Sequence, residues 1–182
     1  MAASFIVTSP TRGQRSGIDH FRWAIKTCAD FQADQIRNER ETTIGRLCAL
    51  PRPDRVTSFS ARFRPAEFTI YTVKAQMLFY RLEEDGDVHI VLQDPDDQSQ
   101  TLIAELPDPR DLTQPSPYST QIAELRRVFD RRWAPSSSRK DGQRVLVIAR
   151  GFGFFDKRHN ALGASPTGIE LHPLLELRTI RP

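Results

Sequence analysis

The chain has 182 residues and a formal net charge of +3, with 38% hydrophobic and 27% charged residues. That size suits one domain of ordinary dimensions with an N-terminal extension, able to bury a core without disulfides or a structural metal. No apolar run approaches the roughly 20 residues that a membrane-spanning helix needs, and the opening Met-Ala-Ala-Ser-Phe-Ile-Val-Thr-Ser-Pro has neither a basic n-region nor a long apolar h-region; no membrane partner is expected, and a cytoplasmic location is the default expectation.

Residues 1–18 mix Ser, Thr, Gly, Arg and Pro without a period and are expected to form a flexible arm. Residues 19–64 carry short apolar groups separated by polar connectors, too few for a core of their own, and are expected to pack as an extension on the domain that follows. Within them, Thr43 to Leu50 fits a short helix with Ile44, Leu47 and Leu50 on one face, stopped by Pro51. Cys28 and Cys48 have no Cys-x-x-Cys partner, which suits reduced, partly buried thiols better than a disulfide framework and leaves a bridge between them open.

Residues 65–182 read as strand, strand, strand, helix, strand, strand. In Phe68–Arg81, the positions Tyr71, Val73, Ala75, Met77 and Phe79 alternate with more polar ones, as a strand with one buried face requires. The composition of Glu83-Glu-Asp-Gly-Asp87 is that of a turn, with Gly86 available for a positive φ. In the next strand Val88, Ile90 and Leu92 are expected to face the core, with His89, Val91 and Gln93 outward; in Gln100–Leu106, Leu102, Ala104 and Leu106 point inward and Thr101, Ile103 and Glu105 outward. Ser116-Pro117 reads as an N-cap with proline at the first helical position, ahead of Tyr118, Ile122, Leu125 and Phe129 at helical spacing. Arg144–Arg150, continued by Gly151-Phe-Gly-Phe-Phe, and Ile169–Leu177 complete the set. This order predicts a mainly β fold with one main helix: a five-stranded OB-type β-barrel (β-β-β-α-β-β) with an N-terminal wrap.

Charge is unevenly spread. Lys and Arg outnumber Asp and Glu eleven to six in residues 1–64, fall to three against eleven in 65–114, and return to twelve against six in 115–182. Barrels of this type usually bind on the outer face of strands 2 and 3, and here that face is built from the acidic third. Phosphate neutralisation supplies most non-specific nucleic-acid affinity, so a nucleic-acid partner is disfavoured on that face. Arg126, Arg127 and Arg131 on the helix are the candidate phosphate contacts, set against the simpler reading that they are the solvated side of an amphipathic helix.

Asp85-Gly86-Asp87 followed by an alternating strand is similar to the first hairpin of the staphylococcal-nuclease-like OB barrels, in which an acidic residue at this place helps hold calcium. That family also carries an arginine at the beginning of the next strand, and Thr101-Leu-Ile-Ala-Glu105 has none, which removes most of the case for its mechanism. The blocks Asp87-Val-His-Ile-Val-Leu, Ala104-Glu-Leu-Pro-Asp-Pro109, Gly151-Phe-Gly-Phe-Phe-Asp-Lys-Arg-His-Asn160 and Gly163–Pro173 resemble those of a bacterial protein family without an assigned activity; the resemblance implies a shared fold and brings no activity with it.

These blocks collect His89, Glu105, Asp156, His159, Glu170 and His172, residue types that ligate zinc or serve as acid and base. His89, Glu105, His159, Glu170 and His172 are the candidate ligand or metal site, although their spacing matches no compact signature such as His-Glu-x-x-His. No nucleophile, phosphate loop or metal motif is coherent enough to name a catalytic residue or a cofactor. The expected function is a non-catalytic OB-type binding module, with nucleic acid as its first subdivision. The alternatives are a metal-dependent hydrolase using the His/Glu cluster and a protein–protein interaction domain.

Overall fold

The computed structural model describes residues 22–112, 116–157 and 161–180. The arm at 1–18 and His159 lie outside them. Six strands share one sheet: β1 (Asn38–Thr42), β2 (Thr69–Leu82), β3 (Val88–Gln93), β4 (Thr101–Leu106), β5 (Lys140–Phe155) and β6 (Ile169–Thr179). The helices are α1 (Trp23–Lys26), α2 (Ile44–Cys48) and the main one, α3 (Ser119–Trp133), between β4 and β5. No helix among the described residues is long and apolar enough to cross a membrane.

The strand order β2-β3-β4-β6-β5 closes on itself because β5 also pairs with β2, while β1 lies parallel along the first half of β2. The 14 residues of β2 permit this: Thr69–Val73 contact β1, Gln76–Leu82 contact β3, and Ile70–Tyr80 contact β5 on the other edge. Inside the ring lie Tyr71, Val73, Ala75, Met77, Val88, Ile90, Leu92, Leu102, Ala104, Leu106, Val147, Ala149 and Leu171. The alternation thus assigns the interior of β3 and β4 as read from the sequence.

At Leu78 a register shift between Met77 and Phe79 resets the alternation of β2, since a bulge adds a residue and exchanges the two faces. The expectation that Phe79 faces the core is therefore corrected: Tyr80 joins the interior and donates its hydroxyl to Trp133 O at 2.8 Å, while Phe79 turns outward and stacks on His89. The turn at 83–87 is closed by Glu83 N to Asp87 O at 2.8 Å, and Gly86 takes φ +94°, where a Cβ would also meet Asp108 Oδ2 at 2.4 Å.

Helix α3 begins later than Ser116-Pro117 suggested. Ser116 Oγ accepts from Tyr118 N in a turn, and regular helix starts at Ser119. Phe129 enters the ring's core, whereas Ile122 joins a second apolar cluster with Cys28, Ala33, Ile36, Phe68, Ile70, Phe152 and Leu175. Helix α2 falls inside the expected Thr43–Leu50 span, with Thr43 as N-cap accepting from Arg46 N, and it buries Ile44 and Leu47 against the core.

The 22–64 segment is tied to the ring by arginines that donate to main-chain carbonyls. Arg22 reaches Phe155 O at 3.0 Å, Arg62 reaches Glu67 O at 3.1 Å, and Arg52 reaches Thr167 O and Asp156 O at 2.6 and 2.8 Å. Beneath it, Phe154 packs with Ile25 and Phe152 with Cys28 and Ile36; full burial of each ring contributes about 1.5–3 kcal/mol. Both cysteines are buried free thiols, Cys28 pushed by burial up to about 12 and Cys48 to about 11.

The outward faces of β3 and β4 are consequently not open. Every residue of β3 is buried, including His89, Val91 and Gln93, and Ile103 is fully buried. Gly163 lies against Val91 so closely that a Cβ would meet Val91 Cγ1 at 2.4 Å, Arg144 donates to Gln93 Oε1 at 2.9 Å, and Lys26 approaches Glu105. A solvated imidazole and carboxylate face is replaced by a covered one, because chain outside the ring needs that surface to bury its own apolar groups.

Candidate acid–imidazole site

Register brings the candidate residues together. His89 on β3 is directly opposite Glu105 on β4, and β4 in turn pairs parallel with β6, where Ile103 faces Glu170. Leu171 points into the core, so Glu170 and His172, one residue to either side, point to the covered side. Asp87, two residues before His89, belongs to the same side.

Three of these groups converge. His172 Nδ1 lies 2.9 Å from Glu105 Oε2 and His172 Nε2 lies 3.8 Å from Asp87 Oδ2, and one donor atom from each residue falls within 4.8 Å of the others. His172 Nδ1 thus stands at ion-pair distance from Glu105, yet neither ring nitrogen of His172 makes a well-formed hydrogen bond among the described residues. His89 Nδ1 is 3.3 Å from the other oxygen of Glu105, Oε1. Asp87 Oδ1 accepts from Asp108 N at 2.8 Å, while Asp87 Oδ2 and Glu170 Oε2 are buried without a hydrogen-bond partner among the described residues. Lys26 Nζ stands 3.8 Å from Glu105 Oε2 and over the ring of Phe154. Glu170 and His172 are 1% and 0% exposed.

Burial acts on each group according to its neighbours. It lifts the carboxyl of Asp87 well above the usual range, with Asp85 and Glu105 adding repulsion, and it lifts Glu170 likewise, with Asp156 and Glu105 adding to it. Burial would raise Glu105 too, but Lys26, His172 and His89 hold it well below the usual range. His172 is lowered by burial and by Lys26, against the pull of Glu105. Among the groups that hold Glu105 low, Lys26 contributes most. Lys26 is itself drawn down by burial and raised on balance by Glu105, Asp156, Glu170 and Asp87.

His89, Glu105, Glu170 and His172 are thus brought to one place, and His159 lies outside the described residues. Lys26 belongs to the cluster although it was not a candidate, and Asp87, singled out only through the resemblance of its hairpin to a calcium-holding one, joins it. Asp87 stands at i−2 from His89, a same-face signal that its role in the turn obscured, whereas no local pattern marks Lys26. Of the phosphate candidates, Arg127 and Arg131 are exposed, but Arg126 is buried and leaves that set. It donates to Gly86 O at 2.8 Å, to Leu106 O and Pro107 O at 3.3 Å, and to Asp130 Oδ1 at 2.9 Å. Arg127 pairs with Glu124 across one helical turn.

Surface cavities of about 250, 430 and 450 Å³ lie beside Leu125, Phe129 and Trp133, beside Trp23, Ile25 and Phe31, and beside Leu78, Arg139 and Arg144; none is lined by Asp87, Glu105, Glu170 or His172.

Fold and site together define a mainly β module, closed on itself by strand pairing, with an enclosed acid–imidazole cluster on one flank. No family model and no curated protein matches the chain. Among solved structures it is similar to a Leishmania major Friedlin chain described as an aspartyl-tRNA synthetase, at 13% identity and a TM-score of 0.42, covering 97% of this chain and 23% of that one. The chain therefore spans about a quarter of that neighbour's length.

Proposed function

We propose that the chain is a non-catalytic binding module built on a five-stranded OB-type barrel. The ring order, with the helix inserted before its fourth strand, supports the barrel reading. The observation that carries the non-catalytic reading is the enclosure of the acid–imidazole cluster. His89, Glu170, His172 and Asp87 are buried, Lys26 lies against Glu105, and Gly163 packs on Val91 of the same β3 face. A metal-dependent hydrolase needs a coordination position that substrate can reach, and this cover opposes one.

For the ligand, the reading favours a polyanion such as single-stranded nucleic acid, bound away from the β3–β4 face. Arg127, Arg131, Arg132, Arg139, Lys140 and Arg144 are exposed on the second half of α3 and the start of β5. The expected result is retention on single-stranded DNA or RNA that weakens with salt, and replacement of Arg131 and Arg139 by Gln reduces the log–log salt slope by roughly 0.7 for each phosphate no longer neutralised. Absence of retention at low salt removes nucleic acid as the ligand. Turnover of a phosphodiester or ester by the pure protein removes the non-catalytic reading.

A further inference from the structure

The cluster around His172 holds buried polar atoms that nothing in the described structure hydrogen-bonds. Buried polar atoms are normally paired, and those left over call for water or an ion. Here Asp87 Oδ2, Glu170 Oε2 and both nitrogens of His172 are left over together. Two of the prospective ligands are also held from the far side. Asp87 uses Oδ1 to accept from Asp108 N, which aims Oδ2 at His172; Glu105 engages His89 through Oε1, which leaves Oε2 facing His172. Outer partners that fix the unused atom of a ligand are what metal sites need for orientation.

The spacing suits a small ion. Donors bound at zinc distances in a tetrahedral array stand about 3.3 Å apart, and one ligand atom from each of Asp87, Glu105 and His172 lies within 4.8 Å of the others; the 2.9 and 3.8 Å contacts belong to opposite ring nitrogens, of which the ion takes one. One imidazole with two carboxylates is a donor set for a borderline first-row ion rather than for calcium or magnesium, which take oxygen alone. Lys26 Nζ, 3.8 Å from Glu105 Oε2, is the positive charge that such an ion would replace.

We propose that Asp87, Glu105 and one ring nitrogen of His172 supply three ligands of a buried site for a single divalent ion of the zinc type, which displaces Lys26 from Glu105. The site is structural: it joins the 83–87 turn to β4 and β6 beneath the N-terminal segment. It goes beyond the binding-module reading and stands or falls separately from it.

The test uses the untagged full chain, stripped with a chelator, and Zn²⁺ titrated against a competing chromophoric chelator. One ion per chain is expected, with a rise of several degrees in Tm at saturation. His172→Asn and Asp87→Asn are each expected to lower affinity at least tenfold, and the exposed control Glu124→Gln to leave it unchanged. Lys26→Met, which keeps the alkyl stem over Phe154 and removes the competing charge, is expected to tighten binding. If the two ligand variants fail to fold, Lys26→Met decides alone. Absence of stoichiometric binding, ligand variants that bind like the wild type, or Lys26→Met with unchanged or weaker affinity each overturns the proposal.

Discussion

Two groups of buried charge sit on the same flank of this protein, and they are finished to different degrees. Around Glu67 both carboxylate oxygens are used: Arg22 donates to Oε2 at 2.5 Å and to Oε1 at 2.8 Å, and the amides of Phe63 and Phe155 donate at 2.8 and 2.7 Å. Around His172, four polar atoms on three residues have no hydrogen bond among the described residues, and several carboxyl groups share one ammonium. A buried charge that is fully hydrogen-bonded acts as a fastener. One that is not is costly, and its persistence points to something absent from the polypeptide.

The comparison is broken most severely by removing one half of the fastener. Glu67→Ala leaves the Arg22 guanidinium buried and unpaired, and a loss of about 3–5 kcal/mol is expected from urea unfolding, read as a lower midpoint at an unchanged slope. Arg126→Ala should cost about 1–3 kcal/mol, because the carbonyls of Gly86, Leu106 and Pro107 lose their donor.

The His172 cluster is sharpened by a pair of substitutions with opposite pH signatures in the presence of chelator. Glu170 is raised by burial, so the wild type loses stability as pH climbs from the unfolded value of about 4.3 toward the folded one. Glu170→Gln should therefore gain on the wild type with rising pH, the gap closing near about pH 4. Glu105 is held low, so its contribution is present above about pH 4.3 and lost as pH falls through its folded value. Glu105→Gln should be less stable than the wild type at neutral pH, with the deficit shrinking in acid. Denaturant midpoints at about pH 4, 6 and 8 read both. Smallest of all is Arg127→Ala, whose solvent-screened pair with Glu124 should leave the denaturant midpoint unchanged.

The interior of the ring was legible in the sequence because strand alternation is a local signal: Val88, Ile90, Leu92 and Leu102, Ala104, Leu106 fall where period two puts them. What lay outside the ring was harder to read. Val91 and Ile103 on the supposed open face are apolar, a hint that the face is covered, but the cover comes from segments far away in sequence. Arg126 was assigned to solvent by its charge, although it stands four residues after Ile122 and three before Phe129, on the buried stripe of α3. Phe79 was misplaced because a bulge has no residue signature here. The Arg22–Glu67 pair spans 45 positions and Lys26 reaches Glu105 from a four-residue helix, so neither is visible to any periodicity.

The unfinished character of the His172 cluster is tested most directly by anomalous diffraction from crystals of the chain grown with one equivalent of zinc. The account predicts a single strong peak about 2.0–2.2 Å from an oxygen of Asp87, an oxygen of Glu105 and a nitrogen of His172, with Lys26 moved away from Glu105. Crystals showing no peak at that place, with Lys26 still against Glu105 and the same four polar atoms left unpaired, would contradict it.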